Sequence, residues 1–253
     1  MHVFITGASS GLGLALAEEY ARRGARLGLV GRRKAALDSL AARLPGEHYV
    51  YALDVRDRSA LHAAARDFLA RCGAGVDVVI ASAGISAGTL TEATEDFEVF
   101  EAIFQTNVMA TVATFEPFID AMKAQGGGRL VGIASVAGIR GLPGAGAYSA
   151  SKSAVITYCE SLRLELAADG IGVVTIAPGY VDTPMTQHNP YRMPFLMSAE
   201  KFARRAIRTI EAGASYRVIP WQMGVVSRLM RLIPNVLYDV LARNAPRKPR
   251  ARR

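Results

Sequence analysis

Short apolar runs bounded by polar turns recur along the chain, and amphipathic stretches separate them. The runs His2–Thr6, Arg26–Val30, Tyr49–Leu53, Val76–Ser82, Arg129–Ala134, Gly172–Ala177 and Tyr216–Ile219 read as buried strands. Between them Leu12–Arg23, Lys34–Leu44, Ser59–Arg71, Glu95–Gln125, Ala147–Ala168 and Ala199–Glu211 read as helices. Their periodicity is clearest in Leu14, Ala17 and Ala21, and in Leu61, Ala64, Ala65 and Phe68. Strands alternating with helices pair in parallel through crossover helices. The pattern predicts an α/β fold over residues 1–220, a doubly wound and mainly parallel seven-stranded sheet with helices on both faces. Residues 221–253 form a C-terminal appendage. In it Val226, Leu229, Met230, Ile233, Leu237, Val240 and Leu241 fall at helical spacing. Arg228 and Arg231 interrupt that run, so it does not predict a membrane-spanning helix, and Pro234 separates two short helices.

Charge changes the picture at one end only. The net charge is +8, but six of the 30 basic residues lie in the last twelve positions, which hold no acid. They are Arg243, Arg247, Lys248, Arg250, Arg252 and Arg253. The remainder carries 24 basic against 22 acidic residues, which argues against a nucleic-acid-binding body. The appendage has three readings: packing on a lid or a sister subunit, peripheral contact with an anionic membrane surface, or a solvated end. Cys72 and Cys159 give no disulfide framework, and the scattered histidines, His48 and His188 among them, suggest no metal site. With no leader before the first strand, the expected compartment is the cytoplasm.

The turn Thr6-Gly-Ala-Ser-Ser-Gly-Leu-Gly13 joins the first strand to the first helix. Gly7 allows a tight turn, Gly11 lets the backbone approach a pyrophosphate, and Gly13 lets the helix lie close to the sheet. Ser9, Ser10, Gly11, Leu12 and Gly13 then surround free N–H groups at a helix N-terminus. The second strand runs into Arg32 and Arg33, where an acid would hold a ribose hydroxyl and an arginine accommodates a 2′-phosphate. NADP(H) is therefore expected ahead of NAD(H), with Ser9 beside the same phosphate. Asp54 and Val55 close the third strand, where Asp54 could meet adenine.

Tyr148 and Lys152 stand four apart on a helix, so they share a face. A phenol is a poor acid or base near pH 7, and a neighbouring ammonium favours its phenolate. Ser135, thirteen residues upstream, could hold a substrate oxygen nearby.

These motifs, in this order, resemble the short-chain dehydrogenase/reductase family over about residues 2–220: the Thr6–Gly13 turn, Asp54, Ala81-Ser-Ala-Gly84, Asn107, Ser135, Tyr148 with Lys152, and Pro178-Gly179. The resemblance implies a Rossmann-type fold and an oxidoreductase that interconverts a carbonyl and a secondary alcohol. It implies Tyr148 as general acid, Lys152 on the nicotinamide ribose and acting on the phenol, and Ser135 orienting the carbonyl. Asn107 would hold a water linking Lys152 to solvent. Ala83, Gly84, Pro178, Gly179, Val181 and Thr183 would border the cofactor. Ser82 replaces the Asn that the family usually carries, which predicts a modest loss of rigidity. A homodimer or homotetramer through the long helices is implied in the same way. The alternative is a nucleotide-sensing binding protein on the same fold, catalytically silent.

The segment from Asp182 to Ser198 is expected to begin a substrate lid reaching about residue 212. Met185, Pro190, Tyr191, Met193, Pro194, Phe195, Leu196 and Met197 make it apolar, and Met185 is the candidate substrate contact. Only Arg192 in that stretch leaves room for an anionic substrate. An apolar, lipid-like carbonyl compound is the expectation.

Overall fold

The computed structural model describes residues 1–250 except Ala74, His188, Pro190 and Pro246. The expectations for His188, Pro190, Arg252 and Arg253 lie outside the described residues. Strands β1 (His2–Thr6), β2 (Arg26–Gly31), β3 (His48–Ala52), β4 (Val78–Ala81), β5 (Gly128–Ile133), β6 (Ile171–Pro178) and β9 (Tyr216–Ile219) form one sheet, ordered β3-β2-β1-β4-β5-β6-β9. Every pairing in it is parallel. Two short strands, β7 (Val181–Asp182) and β8 (Met197–Ser198), pair separately beyond β6.

Successive residues of a strand point to opposite faces, and both faces of this sheet are covered. Val3, Ile5, Leu27 and Leu29 pack with Leu16 and Tyr20 of α1 (Gly11–Arg22) and with Phe202 and Ile207 of α8 (Ala199–Glu211). Phe4 and Val30 face the other way. There Phe4 meets Phe68 of α3 (Arg58–Arg71) and Phe118, with ring centroids 5.4 and 4.8 Å apart. Double burial explains why the strands read as unbroken apolar runs. Helix α2 (Lys34–Arg43) lies between β2 and β3 in sequence.

The stretch 95–125 is not one helix. A 3₁₀ turn at Thr94–Asp96 leads to α4 (Phe97–Phe104), a π turn at Gln105–Met109, α5 (Ala110–Phe115), a second 3₁₀ turn at Glu116–Phe118 and α6 (Ile119–Ala124). Pro117, which has no N–H, sits in that second turn. The π turn carries Asn107 inward, where its amide binds Ile85 and Ser151. Helix α7 (Gly146–Glu165) is continuous, and Lys152, Val155, Cys159 and Leu162 form its buried stripe.

The sheet order reverses between β1 and β4. Ligands of open α/β sheets bind at such a switch point, outside the carboxyl ends of the strands. Helices α9 (Trp221–Leu232) and α10 (Asn235–Ala242) follow β9 and are separated by Pro234. They pack on the turn after β5. Arg140 hydrogen-bonds the Met230 and Ile233 carbonyls and Asn235 Oδ1, and its guanidinium lies 3.8 Å from the Tyr238 ring centroid. Tyr238 returns a hydrogen bond to the Gly141 carbonyl at 2.7 Å.

Candidate active site

A cleft of about 610 Å³ lies at the switch point. At one end is the Gly7–Gly13 turn. Gly7 has φ +73°, and a Cβ there would stand 2.9 Å from the Ala83 backbone. A Cβ at residue 13 would stand 2.3 Å from the Gly7 carbonyl oxygen, so only glycine lets α1 start this close to the turn. Ser10 precedes α1 with no side-chain cap, which leaves the first N–H groups of the helix facing the cleft. These backbone donors and the glycine cradle fit a pyrophosphate.

Thr6 ties the cradle to β4. Its Oγ1 accepts from Ser82 N at 3.2 Å and from Ala83 N at 3.3 Å. Ser82 is a cleft-lining residue, and its hydroxyl is buried without a hydrogen-bond partner among the described residues.

Three arginines gather near the ends of β2 and β3. Arg33 donates to the Ser9 carbonyl at 2.9 Å and to its hydroxyl at 3.3 Å. Arg56 pairs with Asp54 at 2.7 Å. The hydrogen bonds from Arg56 lower the Asp54 pKa, and Arg32 adds to that effect. With Asp54 satisfied by Arg56, no acid pairs with Arg32 or Arg33 among the described residues. All three line the cleft, so this end carries surplus positive charge, which fits a further phosphate. Arg56 escaped the sequence reading. Its signal was the Asp-Val-Arg spacing, which lets residue 56 fold back onto residue 54.

At the other end Ser135, Tyr148 and Lys152 converge. Ser135 follows β5 and begins a 3₁₀ turn, its Oγ accepting from Ala137 N at 3.1 Å. Lys152 is buried. Its Nζ donates to the Ile133 carbonyl at 2.8 Å and lies 5.9 Å from the Tyr148 ring centroid. Burial pushes the Lys152 pKa down to about 8. Burial also raises that of Tyr148, while the Ser135 hydroxyl beside it acts in the opposite direction. Sequence reasoning expected the lysine to lower the phenol. In this structure desolvation is the larger influence on Tyr148, which is partly buried in the cleft wall, and Lys152 is not among the causes of its shift.

Asn107 is not part of the cleft lining. Its Oδ1 accepts from Ile85 N at 2.9 Å, and its Nδ2 donates to Ile85 O and to Ser151 Oγ at 3.0 Å each. It therefore holds the strand β4 exit against α7 from behind. A Cβ at Gly84 would meet Asn107 Oδ1 at 3.3 Å and Lys152 Nζ at 3.5 Å, so both atoms face one small space.

Gly7, Ser9, Ser10, Gly11, Leu12, Gly13, Arg32, Arg33, Asp54, Val55, Ala83, Gly84, Pro178, Gly179, Val181, Thr183 and Met185 all line the cleft. Ile85, Ala102, Thr106, Pro184 and Thr186 join them without having been singled out. Among the described apolar residues of 185–197, Met185 alone reaches it. Met197 is buried in the core, and Phe195 and Leu196 are exposed.

The family model for short chain dehydrogenases matches residues 1–193. An uncharacterised oxidoreductase of Myxococcus xanthus is 39% identical over 244 residues, covering 94% of this chain and 95% of that protein. A 2-dehydro-3-deoxy-L-rhamnonate dehydrogenase (NAD(+)) of a Sphingomonas species is 36% identical over 186 residues, 74% of each chain. The crystal structure of a short-chain dehydrogenase from Burkholderia cenocepacia superposes with a TM-score of 0.82 at 23% identity, covering 95% of this chain and 96% of that one.

Proposed function

The chain belongs to the short-chain dehydrogenase/reductase family of oxidoreductases, and on that premise we propose that it interconverts a carbonyl and a secondary alcohol with NADP(H). The observation that carries the reading is one cleft with a phosphate cradle and three arginines at one end and Ser135, Tyr148 and Lys152 at the other. A bound nicotinamide supplies hydride to the carbonyl carbon, or accepts it from the alcohol carbon in reverse.

The residues do the remainder. Ser135 Oγ donates to the substrate oxygen and fixes its direction. Tyr148 gives its phenolic proton to that oxygen as the C–H bond forms, so that carbonyl, hydride and proton sum to the alcohol. The Lys152 ammonium stabilises the phenolate left behind. A water in the space shared by Gly84, Asn107 and Lys152 would return the proton, with Asn107 as a positioning residue. Arg32, Arg33 and Ser9 receive the 2′-phosphate, which favours NADP(H) over NAD(H). The body of the substrate is apolar and rests on Met185.

Exposed Phe97, Phe100 and Leu164 on α4 and α7 suit a homodimer or homotetramer built through those helices. Cys72 and Cys159 are free and buried, as in a reducing cytoplasm. No helix among the described residues is long and apolar enough to cross a membrane.

The test is NADPH oxidation against a carbonyl panel, comparing the natural chain with Tyr148→Phe. Turnover that depends on the phenol is expected. Equal rates would sink the mechanism and favour a nucleotide-binding role.

A further inference from the structure

The C-terminal segment 247–250 returns to the body of the protein. Gly88 N donates to the Pro249 carbonyl at 2.9 Å, and Gly88 and Arg250 form a parallel bridge. Arg250 bonds both carboxylate oxygens of buried Asp96, at 2.9 and 3.0 Å, and pairs with Glu95 at 2.6 Å. The Arg247 side chain lies against Gly144, four residues before Tyr148.

This seat carries Lys248 inward. Its Nζ donates to Ser86 Oγ at 2.8 Å and lies 5.7 Å from the Tyr148 ring centroid, as near as Lys152 is. Ser86 and Lys248 are not themselves among the cleft-lining residues, but each adjoins one: Ser86 directly follows Ile85, and Lys248 lies against the Tyr148 ring. No carboxylate pairs with Lys248 among the described residues. Burial draws its pKa down, as expected for a cation that has lost water without gaining a counter-charge. A half-buried ammonium whose one polar partner is a neutral hydroxyl is incompletely satisfied.

We propose that Lys248 and Ser86 form a subsite for a carboxylate on the substrate, so that the enzyme acts on oxo acids and their hydroxy-acid counterparts in preference to neutral carbonyl compounds. The proposal rests on the Tyr148-centred reading above and names the substrate class for it. The ammonium lies 5.7 Å from the centre of the Tyr148 ring, so the proposal places the carboxylate within a few bonds of the carbonyl that Tyr148 protonates. One ammonium and one hydroxyl balance a singly charged carboxylate, whereas they would leave half the charge of a phosphate dianion unmatched. The apolar remainder of the molecule keeps its place on Met185.

Phenyl-substituted 2-oxo and 3-oxo acids, each beside its methyl ester, test this with NADPH and full-length protein. The natural chain should prefer an acid over its ester in kcat/KM. Lys248→Gln should lower that preference by about ten- to a hundredfold, the range for a hydrogen bond to a charged group, because any effect of the lysine on the phenol is common to acid and ester and cancels in their ratio, while NADPH affinity stays unchanged. Lys248→Arg should keep the preference. If Lys248→Gln lowers acid and ester equally, or leaves their ratio unchanged, the lysine is a structural latch and the subsite is refuted. Esters reduced normally with no acid preference also refute it, while leaving the carbonyl reductase reading intact. Failure to reduce any member of the panel would instead remove that reading, and this one with it.

Discussion

The Arg33 guanidinium donates to the Ser9 carbonyl at 2.9 Å, bridging the end of β2 to the phosphate turn. On the proposed NADP(H) reading, the contact pre-sets the arginine for the ribose 2′-phosphate. Arg33→Ala should weaken NADPH binding by about tenfold or more, since a hydrogen bond to a charged group is worth about 1.5–3 kcal/mol. NADH binding should barely move. Arg32→Asp should reverse the preference by repelling the phosphate and offering a carboxylate to the ribose hydroxyls. Calorimetric titration of both nucleotides reads out each effect, and equal losses for the two would contradict the assignment.

The contact of Gly13 with Gly7 permits a second prediction. A methyl group at residue 13 cannot coexist with the Gly7 carbonyl 2.3 Å away, so the turn must move. Gly13→Ala should cost about 1–3 kcal/mol of stability, the usual range for overpacking. It should also lower affinity for both nucleotides, unlike Arg33→Ala. A Gly13→Ala chain with natural affinity would show that α1 does not approach the pyrophosphate.

Removing the phenol separates chemistry from binding. Tyr148→Phe should lower turnover by about 10²- to 10⁴-fold, the range for general acid catalysis. NADPH titration of the same variant should remain near the natural value. A proportionate loss of binding would mean that Tyr148 acts in holding the nucleotide.

Lys152 makes stability depend on pH in an unusual direction. Burial holds its pKa near 8, down from 10.5, so between those values the unfolded chain binds a proton that the native one lacks. Native stability should therefore rise with pH across that window, by up to about 1.4 kcal/mol per pH unit from this group. Tyrosines whose pKa desolvation raises, buried Tyr20 and partly buried Tyr148 among them, act oppositely at higher pH. Comparison with Lys152→Met isolates the lysine. That variant should be the more stable at about pH 7 and should lose its advantage toward about pH 10. Chemical denaturation across the range checks it; a constant difference would refute the shifted pKa.

The sheet was legible because its strands are buried on both faces and carry no polar alternation to confuse them. Phe4 and Val3 point to opposite cores, yet both read simply as apolar. The glycine turn at one end of the cleft was legible because glycine spacing encodes close backbone approach locally. What escaped was non-local or irregular. The π turn at Gln105–Met109 escaped because its one inserted residue only shifts the phase of the apolar stripe, and over so short a stretch that shift is indistinguishable from an ordinary scatter of apolar positions. The seating of Lys248 depends on Arg250 finding Asp96 across 154 residues. In the sequence both were merely part of a basic tail, for which a solvated end was one reading.

The contrast in how the two ends of the cleft are held has a practical corollary. The nucleotide end is locked into the register of β1, β2 and β4, where any alteration disturbs the core. The segment bearing Lys248 is attached chiefly through one arginine and a short backbone bridge. If Lys248 receives the substrate as proposed, grafting the last dozen residues of a relative onto this chain would redirect its choice of substrate without redesigning the sheet. Among relatives with near-identical nucleotide ends, substrate range could diverge through this terminal stretch alone.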